Sequence, residues 1–452
     1  MTKVLLICND FVGENMAGPG IRYWELTRTL GRSFDVTLAI PPFVATPSLS
    51  FDEEWLHVCH TKQELRALVT SCDVIITLGI VFLLYPFIIE SGKPLIVDLY
   101  DPFLLEDLQR KIHQDWLERL ASYENYLHAL RIQMQEGDFF ICAGEKQRDY
   151  WLGMLSAMGR VNPYTYQYDP SLRRLIDVVP FGLPPEPPQH TRAVLKGIFH
   201  SIGLDDKVIL WGGGIWDWFD AQTLIKAMPR ILARREDVKL FFMGVKRSNQ
   251  QHTQTAVVNQ AISLSQEMGL YEKHIFFNDW VPYKDRQNYL LESDVGVSLH
   301  LDHIETRFAF RTRLLDYLWA GLPIVSTSGD VIGENLASYG LANLVAPGDV
   351  DGVAQAILHI LDKEYGLKYR DHTHKMAEHY HWDVVVKPLE DFCADPHLAP
   401  DKDYLSMDKR FGQRLGRFRH IWRKGVRTVR LRSFKYLIEQ VYDYMCGKIR
   451  EL

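Results

Sequence analysis

The stretch VGVSLHLDHIETRFAFRTRLLDYLWAGLPIVSTSGD, residues 295–330, decides the fold class. Apolar and polar side chains alternate over residues 295–299, as in a half-buried strand, and a polar loop follows. Apolar spacing after this loop predicts a helix over residues 311–320, which Gly321 ends before the next strand. The stretch is therefore a strand–helix–strand unit, and α/β proteins bind ligands at the loop that follows the first strand of such a unit.

Three arginines, Arg307, Arg311 and Arg313, stand at or just before the first turn of this helix. Cations are unfavourable there because the helix dipole is positive at its N-terminus. An anion between them would relieve the repulsion, and a phosphate or diphosphate fits because guanidinium and free N–H groups bind its oxygens. The alternative is a solvated surface on which Arg313 pairs with Asp316 and Arg307 pairs with Glu305.

The composition is typical of a soluble protein with room for two or three domains. The chain has 452 residues, of which 47% are hydrophobic and 24% are charged. Six scattered cysteines without a CxxC pair predict neither a disulfide framework nor a zinc site, and they favour a reducing, cytoplasmic compartment. The net charge of −6 gives no reason to expect a nucleic-acid partner.

Strands and helices alternate along residues 1–185, which predicts a parallel sheet covered by helices. Gly18 and Gly20 follow the first strand, where glycine lets the backbone approach a ligand; a purely structural turn is the alternative. Asp98 and Asp101 end another strand, where carboxylates could orient substrate hydroxyls or act as a base. The alternative for Asp101 is that it caps the helix that follows.

A proline-rich linker, VPFGLPPEPP at residues 179–188, separates this unit from a second one. The same α/β rhythm restarts beyond the linker, so two units should face each other across a cleft. The predicted domains are residues 1–185, residues 186–395, and a connector with a helical tail over residues 396–452.

Candidate ligand residues also follow the strands of the second unit. Three consecutive glycines end its first strand, and we assign Gly213, Gly214 and the nearby Trp216 to ligand contact. Burial is the alternative for the tryptophan. Lys246 and Glu334 follow later strands and are further candidates for the cleft, with a solvated surface as the alternative for Lys246.

Residues 409–435 form a basic segment that contains eleven Lys or Arg and no Asp or Glu. Phe411, Leu415, Phe418 and Trp422 fall on one face of a helix. A basic amphipathic helix suits an anionic membrane surface, which predicts peripheral association with the inner face of a membrane. The alternative is a helix that packs on the acidic N-terminal unit.

These features resemble the GT-B glycosyltransferases of family four, also called group one. The likeness rests on the two-unit layout, the glycine-rich first loop and the motifs PFGL, VILWGGG, RLLDYLWAGLPIVS and LVAPGD. The resemblance implies two Rossmann-like domains, with a nucleotide-sugar donor on the C-terminal domain and an acceptor on the N-terminal domain. It also implies retention of the anomeric configuration and no need for a metal ion.

The resemblance assigns roles to single residues. Asp316 stands where the family has the second glutamate of its Glu-x7-Glu motif, which contacts the donor ribose. Gly20 matches a glycine near the donor phosphates, and Glu334 matches the glutamate after the following strand. Phe308 stands in place of the first glutamate, which Glu305 could replace only if the loop is remodelled.

A second departure concerns the cations of the donor site. The Arg and Lys that the family has after the first strand of the second domain are absent, since that segment reads GGGIWDWF here. The expected replacements are Arg307, Arg311 and Arg313, at or just before the first turn of the predicted 311–320 helix.

The sequence therefore predicts an enzyme that moves a sugar from a nucleoside diphosphate sugar to a hydroxyl of a glycan or lipid-linked glycan, in cell-surface polysaccharide or glycolipid assembly. We expect no metal and no cofactor. The predicted catalytic residues are Asp98, Asp101, Glu305 and Arg311. The predicted donor-binding residues are Gly18, Gly20, Gly213, Gly214, Trp216, Lys246, Arg307, Arg313, Asp316 and Glu334. Two alternatives stay open: a sugar-nucleotide epimerase of the same fold, and a non-catalytic glycan- or nucleotide-binding protein.

Overall fold

The structure is a computed structural model that describes residues 1–44, 53–112, 114–246, 256–363 and 367–405. Within these residues the chain forms thirteen strands: β1 (Lys3–Ile7), β2 (Asp35–Ile40), β3 (Leu56–Val58), β4 (Val74–Thr77), β5 (Leu95–Asp98), β6 (Phe139–Cys142), β7 (Ile176–Val178), β8 (Lys207–Trp211), β9 (Val238–Lys246), β10 (Ile275–Asp279), β11 (Val295–Ser298), β12 (Ile324–Thr327) and β13 (Ala342–Val345).

Helices connect these strands. In the same described residues they are α1 (Gly18–Leu30), α2 (Lys62–Ser71), α3 (Val81–Leu84), α4 (Phe87–Glu90), α5 (Phe103–Arg110), α6 (Trp116–Glu136), α7 (Glu145–Ala157), α8 (Pro163–Tyr168), α9 (Ala221–Leu232), α10 (Ala256–Glu267), α11 (Arg286–Leu291), α12 (Arg313–Trp319), α13 (Val331–Ser338), α14 (Val350–Leu361), α15 (Leu367–Glu378), α16 (Trp382–Val385) and α17 (Lys387–Ala394).

The strands form two parallel sheets, which we call the first and the second sheet. Their strand orders are β3-β2-β1-β4-β5-β6-β7 and β10-β9-β8-β11-β12-β13. In each sheet the chain winds outward in both directions from a central pair, β1 with β4 or β8 with β11. The connections that leave the carboxyl ends of such a pair diverge, which opens a crevice where ligands bind.

The strands are apolar along their length because helices cover both faces of each sheet. β4, β5, β6, β11 and β12 are buried at every position. In the part of the chain that the structure describes, the buried hydrophobic side chains form three clusters, one of which contains residues from both sheets. The two sheets therefore belong to one compact unit, residues 1–399.

The last two helices, α16 and α17, return to the first sheet. The backbone N–H of Trp382 donates to the carbonyl of Leu183, with an N···O distance of 3.0 Å. The Trp382 ring lies so close to Gly182 that a Cβ there would be 2.4 Å from it. Phe392 of α17 stacks on Phe139 of β6, with a centroid distance of 4.9 Å. These two helices thus follow the second sheet in sequence and pack on the first sheet. The predicted domain boundaries stay predictions.

A buried ion pair fastens α1 to the linker. Nε and Nη2 of Arg22 donate to the two carboxylate oxygens of Asp98 at 2.7 and 3.0 Å, and both side chains are fully buried. The guanidinium also donates to the carbonyl oxygens of Val179 and Pro180 at 2.9 Å each. Both oxygens of Asp98 are therefore engaged within the protein, and its predicted catalytic role stays a prediction.

The basic segment, residues 409–435, lies outside the described residues. Its predicted contact with an anionic membrane surface therefore stays a prediction. Among the helices that the structure does describe, none combines the length and the apolar character needed to cross a membrane.

Replacing Arg22 with methionine should lower the free energy of unfolding by about 3–5 kcal/mol, because the Asp98 carboxylate would stay buried without its partner. Arg28→Met is the matched control, since Arg28 lies on the same helix and its side chain, paired with Glu25, is 56% exposed. The control should cost less than about 1 kcal/mol. Urea unfolding measures both changes, and equal effects would contradict the role assigned to the pair.

Candidate active site

The switch point of the second sheet lies between two loops. After β8 the chain turns through Gly212, Gly213 and Gly214, which we call the glycine loop. The φ of Gly213 is +77°, a value that favours glycine, and no atom lies within 4 Å of the place that its Cβ would take. After β11 the chain runs through residues 299–312, which we call the donor loop, and enters α12. The glycine loop thus leaves open space at the carboxyl edge of the sheet.

The start of α12 differs from the prediction. Thr312 is its N-cap, so the helix begins at Arg313, two residues later than expected. Arg311 therefore belongs to the donor loop, and only Arg313 stands in the first helical turn. The φ of Gly321 is +65°, which confirms its predicted place after the end of the helix.

Tyr317 of α12 holds the glycine loop against the sheet. Its hydroxyl accepts from the Gly212 N–H at 2.8 Å and lies 2.9 Å from the carbonyl oxygen of Val297. The ring packs on Gly296 of β11 so closely that a Cβ there would be 2.5 Å away. Burial raises the pKa of Tyr317 to about 12, so the hydroxyl keeps its proton and can donate to a carbonyl. No local sequence pattern singles out this tyrosine.

Arg313 carries a buried positive charge beside the same loop. Its guanidinium carbon lies 3.9 Å from the ring centre of Phe219 and 4.7 Å from that of Trp211. Nη2 donates to the carbonyl of Gly214 at 2.9 Å, whereas Nη1 is buried without a hydrogen-bond partner. Burial lowers the pKa of Arg313 to about 10, which still leaves the group charged at neutral pH. A buried cation with a free donor is typical of a site that binds an anion.

Arg311 is neutralised inside the protein. Its Nη1 and Nη2 donate to the two carboxylate oxygens of Glu305 at 3.0 and 2.6 Å, and both side chains are buried. The donor loop is thus remodelled in a way that brings Glu305 inside, where it serves as the partner of Arg311. This internal carboxylate removes the need for an external anion at Arg311. Arg307 is exposed and lies next to the Phe308 ring.

Asp316 lies one turn after Arg313 but pairs with a different arginine. Arg286 Nε donates to its Oδ1 at 3.0 Å. The Arg286 guanidinium lies 3.8 Å from the ring centre of Tyr283 and 4.8 Å from that of Trp319, which fixes its position. The Asp316 side chain is 32% exposed, so its second oxygen can still reach a ligand. Neither pairing of the solvated-surface alternative occurs among the ion pairs of the described residues.

The remaining donor-side candidates take less buried positions. Glu334 pairs with Lys146 of α7 at 2.9 Å, and both side chains are exposed. Trp216 is half-buried and stacks on Trp218, with a centroid distance of 6.0 Å. Lys246 ends β9, and its side chain lies outside the described part of the structure.

The two glycines after β1 have different surroundings. A Cβ on Gly18, the first residue of α1, would lie 3.5 Å from the hydroxyl of Tyr100, which is ordinary contact. A Cβ on Gly20 would lie 2.2 Å from the carbonyl oxygen of Phe11, which no side chain could tolerate. Backbone packing is therefore sufficient reason for glycine at position 20, whereas Gly18 lies beside the Tyr100 hydroxyl.

Acidic side chains from both sheets meet at the cleft. Asp101 follows β5, is half-buried and hydrogen-bonds to the Tyr100 hydroxyl. Burial raises the pKa of Asp101 to about 7, and the charge of Glu305 acts in the same direction. Burial, reinforced by Asp101 and Glu305, also raises the pKa of Glu106 well above its ordinary value. The Asp101 side chain does not cap α5, whose N-cap is Pro102 without a side-chain hydrogen bond.

A buried pair of a histidine and an aspartate, His300 and Asp330, also lies at this edge of the second sheet. His300 Nε2 lies 3.3 Å from Asp330 Oδ2, and both side chains are fully buried. Asp330 accepts from the N–H groups of Ile332 and Gly333 and so caps α13. The Nδ1 of His300 is buried without a partner. Sequence reasoning missed this pair because 30 residues separate its members.

In the described parts of the chain, no group of three or more His, Cys, Asp or Glu side chains is placed to hold a metal ion. The expectation of a metal-free and cofactor-free site stays a prediction. The guanidinium of Arg313 and the open backbone around Gly213 are the candidate groups for binding a negatively charged ligand.

Comparison with known proteins agrees with this layout. Residues 206–363, which contain β8 to β13, match the family described as Glycosyl transferases group 1. No curated protein matches the chain in sequence.

Solved structures match over most of the chain at low identity. Sucrose-phosphate synthase from Thermosynechococcus elongatus has a TM-score of 0.60 at 12% identity, over 87% of this chain and 98% of the other. WaaG, a glycosyltransferase involved in lipopolysaccharide biosynthesis, has a TM-score of 0.56 at 15% identity, over 87% and 100%. Anabaena HepE in complex with UDP-glucose has a TM-score of 0.57 at 13% identity, over 87% and 99%.

The two parallel sheets and these matches show the GT-B fold, which confirms the predicted fold class. The part of the chain that forms the second sheet, residues 206–363, is similar to the group 1 glycosyltransferases.

Replacing Tyr317 with phenylalanine should lower the free energy of unfolding by about 1–3 kcal/mol, because the Gly212 N–H would lose its buried acceptor. Tyr339→Phe is the control, since Tyr339 is 64% exposed at the end of α13 and its substitution should cost less than about 0.5 kcal/mol. Urea unfolding again measures the difference. A Tyr317→Phe protein as stable as the control would show that the hydroxyl does not hold the glycine loop.

Proposed function

We propose that this enzyme transfers a sugar from a nucleoside diphosphate sugar to a hydroxyl of a glycan or lipid-linked glycan. The observation that carries the proposal is the buried, unpaired Nη1 of Arg313 beside the glycine loop. A diphosphate is the economical anion for this place, because its oxygens accept from a guanidinium and from backbone N–H groups together.

Arg313 would replace the cations that this chain lacks after β8. It starts on α12 yet bonds to the carbonyl of Gly214, so its charge reaches the loop where the family has its Arg and Lys. Departure of the nucleoside diphosphate develops negative charge on the outer phosphate, and a cation already fixed in a dry site stabilises that charge without reorganisation. Asp316, with one oxygen free, is the candidate for the donor ribose.

The donor class also has support from a structural relative. HepE was solved with UDP-glucose, which makes a nucleoside diphosphate hexose a reasonable donor for this chain. The base and the sugar are left for the experiment below.

The acceptor side would use Asp101. A half-buried carboxyl at the end of β5, opposite the donor loop, can accept a hydrogen bond from the attacking hydroxyl once it is ionised. We propose that the anomeric configuration is retained and that no metal ion takes part, as the resemblance implies. The leaving phosphate would then receive the proton of the acceptor hydroxyl.

We propose an acceptor of the glycan or glycolipid class, assembled at a cytoplasmic membrane surface. WaaG acts in lipopolysaccharide biosynthesis, which supports a polysaccharide or glycolipid role for this chain. The basic segment over residues 409–435, with its aromatic side chains, would bring the enzyme to an anionic bilayer where such acceptors reside.

The test begins with the thermal stability of the full chain against UDP, GDP, dTDP and ADP, each with and without an attached sugar. A ligand at 100 times its Kd should stabilise the fold by about 2.7 kcal/mol. The nucleotide that shifts the midpoint is then assayed for sugar transfer to glycan and lipid-linked acceptors. Turnover of the donor sugar without an acceptor would instead identify an epimerase. Binding without turnover on any acceptor would identify a non-catalytic protein, and no binding would contradict the proposal.

The transfer rate should depend on pH through Asp101. Because the pKa of Asp101 is raised to about 7, its ionised form grows as pH increases through that value. The rate should therefore rise about tenfold per pH unit well below 7 and level off above it. Asp101→Asn should abolish the rise of the rate with pH below 7 and should lower the rate itself.

A readout without substrate accompanies the rate profile. The folded protein holds Asp101 neutral at a pH where the unfolded chain ionises it, so this carboxyl lowers stability progressively between pH of about 4 and about 7. Asp101→Asn should therefore gain stability relative to the wild type over that range, measured by urea unfolding at pH 5 and pH 8. A difference that does not change with pH would contradict the raised pKa.

A further inference from the structure

The part of the chain around the first sheet, which we call the N-terminal unit, contacts the donor loop at the first turn of α7. Gln147 is fully buried there, and its amide nitrogen donates to the carbonyl oxygens of Tyr100 and Phe308 at 2.8 Å each. Its amide oxygen accepts from the Ala143 N–H at 2.9 Å. Both amide hydrogens and the oxygen are thus used. A flipped amide would place its oxygen against two carbonyls, so only one orientation satisfies the three bonds.

The same helical turn makes further contacts with the second sheet's connections. The ring of Tyr150, which is one turn after Gln147, lies 4.8 Å from the ring of Phe308 between centroids. A Cβ on Gly144, the N-cap of α7, would lie 3.2 Å from Val331 at the start of α13. The exposed pair of Lys146 and Glu334 extends this line of contacts. The two units therefore meet along one face of α7.

The two carbonyls that Gln147 joins belong to opposite sides of the cleft. Tyr100 directly precedes Asp101 on the acceptor side. Phe308 lies in the donor loop between Glu305 and Arg311, at the position where the family has its first glutamate. In this chain that position supplies a backbone carbonyl and an aromatic ring to a contact between the units. The buried Gln147 amide thus bonds directly to both the residue before Asp101 and the donor loop.

We propose that Gln147 is a positioning residue, which sets the separation between the acceptor hydroxyl and the donor sugar by binding Tyr100 and Phe308 together. The role rests on the proposed function, because it concerns the transfer geometry. Gln147 itself contacts neither substrate. Its amide holds the two loops that do.

The expected signature is a loss of turnover without an equal loss of nucleotide binding. Leucine at position 147 would leave two buried carbonyls without donors, and the loops would separate. A displacement of about 1 Å between reacting groups can cost about 100-fold in rate, so kcat should fall at least about 10-fold. The Kd of the nucleotide should change less than about 3-fold, because Arg313 and the glycine loop are held within the second sheet's unit.

The experiment compares Gln147→Leu with Gln133→Leu in the full chain. Gln133 is equally buried, and its amide oxygen accepts from the Gly79 N–H at 3.1 Å, within the N-terminal unit alone. Gln147→Asn is the second variant, since it keeps the amide but is one methylene too short to span both carbonyls. For each protein we would measure kcat, the donor KM, the nucleotide Kd and amide hydrogen exchange.

Hydrogen exchange should rise in both residues 99–104 and residues 305–313 in the two Gln147 variants and in neither segment of Gln133→Leu. With these changes, a fall in kcat confined to the Gln147 variants supports the proposal. A Gln147→Leu enzyme with kcat within 2-fold of the wild type, or exchange that rises only near α7, overturns it. If the wild type transfers no sugar, the proposed function has failed, and the exchange comparison alone decides whether Gln147 joins the loops.

Discussion

The arrangement of the second sheet depends on one constraint: a guanidinium, that of Arg313, must stay charged inside the protein without an internal carboxylate. Aromatic faces of Trp211 and Phe219 and the carbonyl of Gly214 hold it, but they leave one nitrogen free. Tyr317, one turn later on α12, ties the same glycine loop to the sheet. The helix therefore fixes both the loop and the charge before any ligand arrives, which is what electrostatic stabilisation of a leaving group requires.

Charge is distributed unequally across the cleft. Two other buried arginines are neutralised by carboxylates inside the protein, Arg22 by Asp98 and Arg311 by Glu305. On the side of the first sheet, burial raises the pKa of Asp101 to about 7 and that of Glu106 well above its ordinary value. In the proposed function, the Arg313 cation would stabilise the leaving group and Asp101 would hold the attacking hydroxyl. Gln147 bonds to Tyr100, next to Asp101, and to Phe308 in the donor loop, and it is one of several contacts between the halves of the protein around the two sheets.

Local sequence patterns predicted the fold and part of the candidate site. Apolar alternation and glycine placement predicted both sheets, the loops at their switch points and the end of α12. The unfavourable position of Arg313 in a first helical turn also pointed to an anion. Patterns could not reveal partners that are distant in sequence. The Arg22 pair joins residues 76 apart, and the Gln147 bond to Phe308 joins residues 161 apart. No sequence pattern showed the partners of Asp98 and Arg311. The partner of Asp98 is 76 residues away, and the partner of Arg311, Glu305, is brought inside by the remodelled loop.

The most direct measurement is a calorimetric cycle with uridine and UDP, or with the base that the stability panel selects, on the wild type and on Arg313→Met. Arg230→Met serves as the control, since Arg230 is an exposed cation on α9. We expect the ratio of UDP affinity to uridine affinity to fall by about 10–100-fold in Arg313→Met, which corresponds to the loss of one charged hydrogen bond. The affinity for uridine and the behaviour of the control should stay unchanged. An undiminished ratio in Arg313→Met would contradict the account, because the diphosphate would then be bound elsewhere.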